Sequence, residues 1–262
     1  MRLLCLDLGN THTHFGVVGP AGADVMGEVP TAAIDEPATG FGRRLTRLVA
    51  DQPAPVGVAF CSVVPAATPR LRQVLATALP GLPVFQLTAA CELGVPITYP
   101  RPTEIGQDRL ANAAGARSLA TGAAVVIDLG TAVTFDIITG HGGYEGGIIA
   151  PGLAVMRAYL HERTAQLPLL DDSLALDGAI GRSTVEAMRI GMVVGFHGMI
   201  QALLDAVLAE LAARGGPMPA VFATGGDAGR LLGRLRPPAQ IVPDLTLRGL
   251  AVAWRLNFSP SK

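Results

Sequence analysis

The chain has 262 residues, half of them apolar and 16% charged, with a formal net charge of −1. That length fits one large domain or two small ones, and the near-neutral charge offers no electrostatic footprint for nucleic acid or an anionic membrane. Cys5, Cys61 and Cys91 are odd in number and scattered, so neither a disulfide framework nor a zinc site is indicated, and the chain enters an apolar strand without the pattern of an export signal; a soluble cytoplasmic protein is expected.

Apolar runs predict strands over 3–8 and 13–18, a third over 24–29, and a helix over 38–50. A short buried strand over 56–61 leads into Ser62-Val63-Val64-Pro65, a helix over 68–78 and a strand over 84–87. Prolines at 96, 100 and 102 mark an extended linker, after which Thr103 is placed to cap a helix carrying Glu104, Gln107, Asp108 and Arg109 toward Leu119. Strands follow over 124–128 and 132–138, then a glycine-rich strand over 142–150 and a short helix after Pro151-Gly152. Beyond a polar loop near 171–177, Ser183 and Glu186 form a capping box that opens a long helix to about 214. Its apolar tract, 191–213, is interrupted by His197, Gln201, Asp205 and Glu210 at helical spacing, which predicts an amphipathic helix rather than a membrane span. A strand over 220–223, a helix opened by Thr224-Gly225-Gly226-Asp227, a short strand over 240–242 and a helix from 245 close the chain.

One pattern occurs twice. Leu6-Asp7-Leu8-Gly9-Asn10-Thr11 runs into Phe15-Gly16-Val17, and Ile127-Asp128-Leu129-Gly130-Thr131 runs into Phe135-Asp136-Ile137. Each copy follows a buried strand and turns tightly into another, so an internal duplication is expected, with halves 1–117 and 118–262 facing each other across a cleft. In such a turn Gly permits a close backbone approach, backbone N–H groups and the Asn or Thr side chain can take phosphate oxygens, and the Asp can hold a metal ion directly or through water. The alternative for either copy is an ordinary turn after a buried strand. No Walker loop occurs, and strand-turn-strand is the wrong context for a dinucleotide fingerprint. Strand triplets followed by alternating helices and strands, twice over, point to an α/β fold of duplicated ribonuclease-H-like halves, as in actin-like ATPases and sugar kinases.

Gly106-Gln107-Asp108-Arg109 sets a carboxylate beside a guanidinium at the start of the linking helix. Two readings stand. One is an Asp that accepts a proton from an attacking hydroxyl and an Arg that steadies substrate or transferring phosphate; the other is a surface ion pair on an exposed helix turn.

The residues resemble the type III pantothenate kinases, of the acetate and sugar kinase/Hsp70/actin superfamily, along nearly the whole chain. The resemblance is carried by Asp7-Leu8-Gly9-Asn10-Thr11, Ser62-Val63-Val64-Pro65, Tyr99, Gly106-Gln107-Asp108-Arg109, Asp128-Leu129-Gly130-Thr131-Ala132, Gly146-Gly147-Ile148-Ile149-Ala150-Pro151-Gly152, Gly181-Arg182-Ser183-Thr184-Val185-Glu186-Ala187-Met188 and Ala223-Thr224-Gly225-Gly226. It implies transfer of the γ-phosphoryl of ATP to the primary hydroxyl of pantothenate, the first committed step toward coenzyme A. It also implies that Asp7, Leu8, Gly9, Asn10, Thr11, His12, Thr13 and His14 bind the triphosphate, with Asp7 on the magnesium side, and that Thr131 contacts ATP from the second turn. Asp108 matches the proton acceptor. Tyr99, Gly106, Gln107, Asp108 and Arg109 match the pantothenate site, and Thr184 matches a residue that reaches substrate across a homodimer interface. Asp128 matches the ligand of a monovalent cation, potassium or ammonium.

The chain departs from the family at His12 and His14, where Asn or an apolar residue is common, and at Arg101, Met156 and Arg157. Alternate spacing puts both histidines on one face of the second strand, where they suit either polar packing near the phosphates or a metal site, for which two ligands are few. Gly191, Gly195 and Gly198 lie near one face of the long helix, where they suit either packing within the subunit or a dimer seam. Two other functions stay open: another small-molecule kinase of the superfamily, and a non-catalytic ATP-dependent regulator.

Overall fold

The computed structural model describes residues 2–50, 53–140, 143–231 and 233–258. In chain order, β1 (Leu3–Leu8), β2 (His12–Gly19) and β3 (Gly22–Pro30) form an antiparallel meander, followed by α1 (Phe41–Ala50), β4 (Val58–Ser62), α2 (Thr68–Ala78) and β5 (Val84–Gln86). β1, β4 and β5 run parallel, so the first sheet has the order β3-β2-β1-β4-β5. After α3 (Gln107–Leu119) come β6 (Ala124–Leu129), β7 (Ala132–Thr139), β8 (Gly143–Pro151), α4 (Leu153–Glu162), α5 (Thr184–Ala213), β9 (Ala220–Thr224), α6 (Ala228–Leu231), β10 (Gln240–Ile241) and α7 (Leu245–Phe258). The second sheet has the order β10-β9-β6-β7-β8. Read from its other edge it repeats the first strand for strand, as the duplication requires.

Among the described residues the chain divides into two compact units. One takes the residues up to 124, with 136–146 and those from 244 onward; the other takes 125–135 and 147–243. In the first unit β1, the central strand between antiparallel β2 and parallel β4, is apolar on both faces, as a strand covered on both sides must be. Leu4, Leu6 and Leu8 join a core with Phe41 and Leu45 of α1 and Leu71 and Leu75 of α2. The alternate residues Leu3 and Cys5 are buried on the opposite face, on which α7 packs.

α3 and α7 cross at very close range because small residues line the seam. A Cβ at Gly249 would stand 1.8 Å from the Ala111 carbonyl oxygen, and one at Gly115 would stand 2.5 Å from that of Leu245. The buried Thr246 hydroxyl donates to Asn112 Oδ1 across this seam at 2.7 Å. In the second unit α5 buries Met188, Met192, Phe196, Ile200 and Leu204, a stripe at four-residue spacing.

Several local expectations shift. The helix expected over 38–50 begins at Phe41, because residues 37–39 form a 3₁₀ turn closed by Gly40 at φ 61°. Thr103 does not cap α3: residues 102–104 make a separate 3₁₀ turn, Ile105 is extended, and Gly106 is the N-cap. The glycine-rich strand runs over Gly143–Pro151, and the Gly142 expected to start it lies outside the described residues. The helix opened by Thr224-Gly225-Gly226-Asp227 has only four residues. α5 is less amphipathic than expected. Val185 and Val194 are exposed beside Gly191 and Gly195, so its outer side is apolar too, and by length and composition alone the helix could cross a membrane.

Candidate active site

The first turn joins β1 to β2. Asp7 lies one residue before the end of β1, facing His14 on β2 and Cys61 on β4. The Cys61 thiol donates to Asp7 Oδ1 at 3.3 Å, and burial, then the charge of Asp7, pushes that thiol well above its ordinary pKa. The Gly9 N–H closes the turn onto the His12 carbonyl at 3.1 Å, where a Cβ on Gly9 would meet that oxygen at 2.9 Å. Thr31 braces the turn from β3's end: its hydroxyl donates to the Gly9 carbonyl at 2.7 Å and its N–H to that of Thr11 at 3.0 Å. Asn10, Thr11 and His14 are exposed and His12 half-buried, whereas the Leu8 side chain lies in the core. Thr13 is also buried, its hydroxyl 3.0 Å from that of Thr31. The two histidine rings lie 6.3 Å apart, and partial desolvation lowers the His14 pKa against the raising effect of Glu28.

The N-terminus of α3 is tied to the carboxyl end of β4. Gln107 Oε1 accepts the Ser62 N–H at 2.9 Å and the Gln86 side-chain amide at 3.2 Å. Asp108 therefore shares the first unit's carboxyl-end edge with Asp7 and Cys61, where ligands of open α/β sheets bind. Its Oδ1 accepts the Arg109 N–H at 2.7 Å, and a Cβ on Gly106 would stand 2.5 Å from the same oxygen, so a larger residue there would push the carboxylate aside. Burial raises the Asp108 pKa, with the Arg109 N–H and guanidinium pulling it down. Such a carboxylate is a stronger base than a solvated one.

Arg109 extends into the same unit. Its Nε donates to Asp136 Oδ1 at 2.7 Å, and the Tyr144 hydroxyl donates to that oxygen at 3.1 Å. Burial opposes the charge on Arg109, but Asp136 above all holds it, and its pKa is raised. Tyr99 also belongs here, its ring 3.3 Å from where a Cβ on Gly146 would stand.

Asp128, Thr131 and Thr184 lie in the second unit. The second turn is one residue tighter than the first: the Gly130 N–H bonds to the Ala132 carbonyl at 3.1 Å. Two glycines cradle it. A Cβ on Gly152 would meet the Gly130 carbonyl at 2.4 Å, and one on Gly225, at φ 91°, would meet that of Leu129 at 2.4 Å. Thr131 is exposed and Asp128 half-buried. Thr184 opens α5 directly after its N-cap, where the Ser183 hydroxyl accepts the Glu186 N–H at 3.2 Å; the Glu186 carboxylate reaches back one residue beyond the N-cap and accepts the Arg182 N–H at 2.7 Å, a variant of the expected capping box.

The model of the family described as type III pantothenate kinase matches residues 3–206. The chain belongs to the type III pantothenate kinases. The type III pantothenate kinase of Akkermansia muciniphila is 40% identical over 261 residues, covering 98% of this chain and 100% of that one. Its counterpart in Methylacidiphilum infernorum is 37% identical over 248 residues, covering 95% and 86%. Among solved structures, a 2-dehydro-3-deoxygalactonokinase protein from Sinorhizobium meliloti matches with a TM-score of 0.57 at 15% identity, covering 98% of this chain and 100% of that one. That likeness carries the fold: α/β, in two ribonuclease-H-like halves of the kind sugar kinases share.

Sequence reasoning did not single out Asp136, Tyr144 and Cys61, which the structure brings against Arg109 and Asp7. The signal was present for Asp136, a lone carboxylate inside an apolar strand, since a buried charge needs a partner.

Proposed function

We propose that this type III pantothenate kinase transfers the γ-phosphoryl of ATP to the primary hydroxyl of pantothenate, giving 4′-phosphopantothenate, the first step of coenzyme A biosynthesis. The observation that carries the reading, beside family membership, is the placing of Asp7, Asp108 and Arg109 in one unit at the carboxyl ends of β1 and β4. Asp108 orients the acceptor hydroxyl and takes its proton late, while Arg109 steadies an anionic oxygen of the reacting pair. Little else is demanded of the protein, because phosphoryl transfer through a loose transition state rests on positioning and charge neutralisation.

The triphosphate is taken by the first turn, through the backbone of Leu8 and Gly9 and the polar groups of Asn10, Thr11, His12 and His14, with Thr13 bracing the turn. Thr131 takes ATP from the second turn. Tyr99, Gly106, Gln107, Asp108 and Arg109, with Thr184 of a second subunit, hold pantothenate. Asp7 would hold magnesium through water, and Asp128 a potassium or ammonium ion. The donor set fits: all-oxygen ligands suit these hard cations, and magnesium keeps several waters and takes phosphate oxygens, so it needs few protein carboxylates. No cluster of three or more His, Cys, Asp or Glu that could hold a metal ion stands among the described residues. When bound, magnesium neutralises charge on the phosphates.

A homodimer formed through α5 is part of the reading. Only 22% of the most apolar 18-residue window of that helix is buried, and among the described residues nothing stands within 4 Å of a Cβ placed at Gly191, Gly195 or Gly198. A second copy would cover that face. The three free cysteines suit a reducing cytoplasm.

The test is ADP release by the purified protein with magnesium and ATP, with and without pantothenate, in potassium and in sodium. Release that needs both pantothenate and potassium is expected. ATP binding without pantothenate-dependent release would instead favour another acceptor or a nucleotide-dependent regulator.

A further inference from the structure

Asp136 departs from the duplication that otherwise organises the chain. With the second turn one residue tighter, Phe15-Gly16 in β2 corresponds to Phe135-Asp136 in β7, and the two strands share buried positions at Thr13 and Val133, Phe15 and Phe135, Gly16 and Asp136, and Val18 and Ile138. Where the first copy has a glycine, the second has a carboxylate with 0% exposure. A buried ion pair is a poor source of stability, because desolvation of both charges offsets their attraction. Its partner is Arg109, 13% exposed in its side chain, and the residue next to Asp108.

The contacts form a chain of support. Asp136 Oδ1 accepts from Arg109 Nε at 2.7 Å and from the Tyr144 hydroxyl at 3.1 Å, and the guanidinium carbon lies 6.0 Å from the centre of the Tyr144 ring. The Tyr144 hydroxyl therefore fixes the carboxylate, and the carboxylate fixes the guanidinium through its Nε edge. The Arg109 N–H in turn holds Asp108 Oδ1 at 2.7 Å. The backbone of Tyr144 anchors a second arm: its N–H donates to the Pro96 carbonyl at 2.8 Å, its carbonyl accepts the Thr98 N–H at 3.0 Å, and the next residue is Tyr99. The first residues of β8 thus brace both Tyr99 and Arg109, all within one compact unit.

We propose that Asp136, held by Tyr144, is a positioning residue for pantothenate phosphorylation that sets the direction of the Arg109 guanidinium. The proposal rests on the functional reading above. Both residues are buried, so Asp136 acts through Arg109.

The test is a double-mutant cycle on the full-length protein with pantothenate-dependent ADP release as readout. Asp136→Asn is expected to lower kcat/KM for pantothenate by about tenfold to a hundredfold, the scale of a misplaced catalytic group, with ATP affinity unchanged. In an Arg109→Ala background the same change is expected to have no further effect, because its effect runs through the missing guanidinium. Tyr144→Phe keeps the ion pair and loses one hydroxyl; it is expected to lower kcat/KM by a smaller factor, and serves if Asp136→Asn does not fold. Exchange of the Arg109 Nε proton, followed by NMR, gives a readout independent of the acceptor: slow in the parent protein and faster in both variants. Effects of Asp136→Asn and Arg109→Ala that multiply, or unchanged exchange, would overturn the proposal. A parent protein that releases no ADP on pantothenate while exchange behaves as expected would instead overturn the functional reading.

Discussion

Gly249→Ala probes the seam between α3 and α7. The new Cβ would stand 1.8 Å from the Ala111 carbonyl oxygen and 3.0 Å from the Gly115 nitrogen, both backbone atoms with no rotamer to yield. Reaching an ordinary contact of 3.4 Å requires α7 to retreat from α3 by about 1.6 Å. That shift stretches the buried Thr246–Asn112 hydrogen bond from 2.7 Å beyond bonding range. Overpacking costs ~1–3 kcal/mol and a stranded buried polar pair ~1–3 kcal/mol, against a helix-propensity gain of ~1 kcal/mol for replacing glycine. A net loss of about 1–5 kcal/mol follows, which lowers Tm by about 2–20 °C in a protein of this size. Differential scanning calorimetry measures it, with Gly122→Ala as control, since nothing lies within 4 Å of a Cβ there. A Tm for Gly249→Ala equal to that of the control would refute the close-packed seam. Activity should fall as well, because α3 carries Asp108 and Arg109.

Asp108→Asn should lower kcat by about 10²–10⁴-fold while ATP affinity measured by calorimetry holds; unchanged turnover would remove Asp108 from the proton-acceptor role. The same substitution should raise Tm at neutral pH. A carboxyl whose pKa is raised on folding binds its proton more tightly in the native state, so its penalty is absent at low pH and grows as pH rises through the unfolded and then the folded value. For the same reason the acid limb of the kcat/KM profile should lie above the ~4 of a solvated carboxylate. Ser183→Ala removes the cap of α5 and should cost about 0.5–2 kcal/mol in urea denaturation, with a silent substitution pointing to a frayed first turn. Iodoacetamide should label Cys91 in the native protein and spare Cys5 and Cys61, whose thiols burial pushes far from the reactive range, until denaturant exposes all three; mass spectrometry counts the adducts.

The strands were legible wherever burial on both faces left an unbroken apolar run, as in β1 and β6, and the repeated Asp-Leu-Gly turn made the duplicated topology legible with them. Asp108 and Arg109 could be picked out because they are adjacent and follow a glycine. The Asp136–Arg109 pair could not, since its members come from a helix and a strand that meet only in the folded unit. Thr103 misled because a Thr before an acidic residue is a local capping signal, while Pro102 favours the 3₁₀ turn that replaces the expected first turn of α3. The outer face of α5 was misread for a related reason: four polar side chains at helical spacing looked like a solvated face, yet Val194, Gly195, Gly198, Ala202, Ala206 and Ala209 are exposed on the same helix.

The first compact unit is assembled from the beginning, the middle and the end of the chain, with α7 as its last piece. During synthesis, β1 to α3 therefore emerge without the helix that covers one face of their sheet. Cys5, Ala111 and Asn112 stay wet until the final helix leaves the ribosome, and the N-terminal strands, made first, are among the last to be completed.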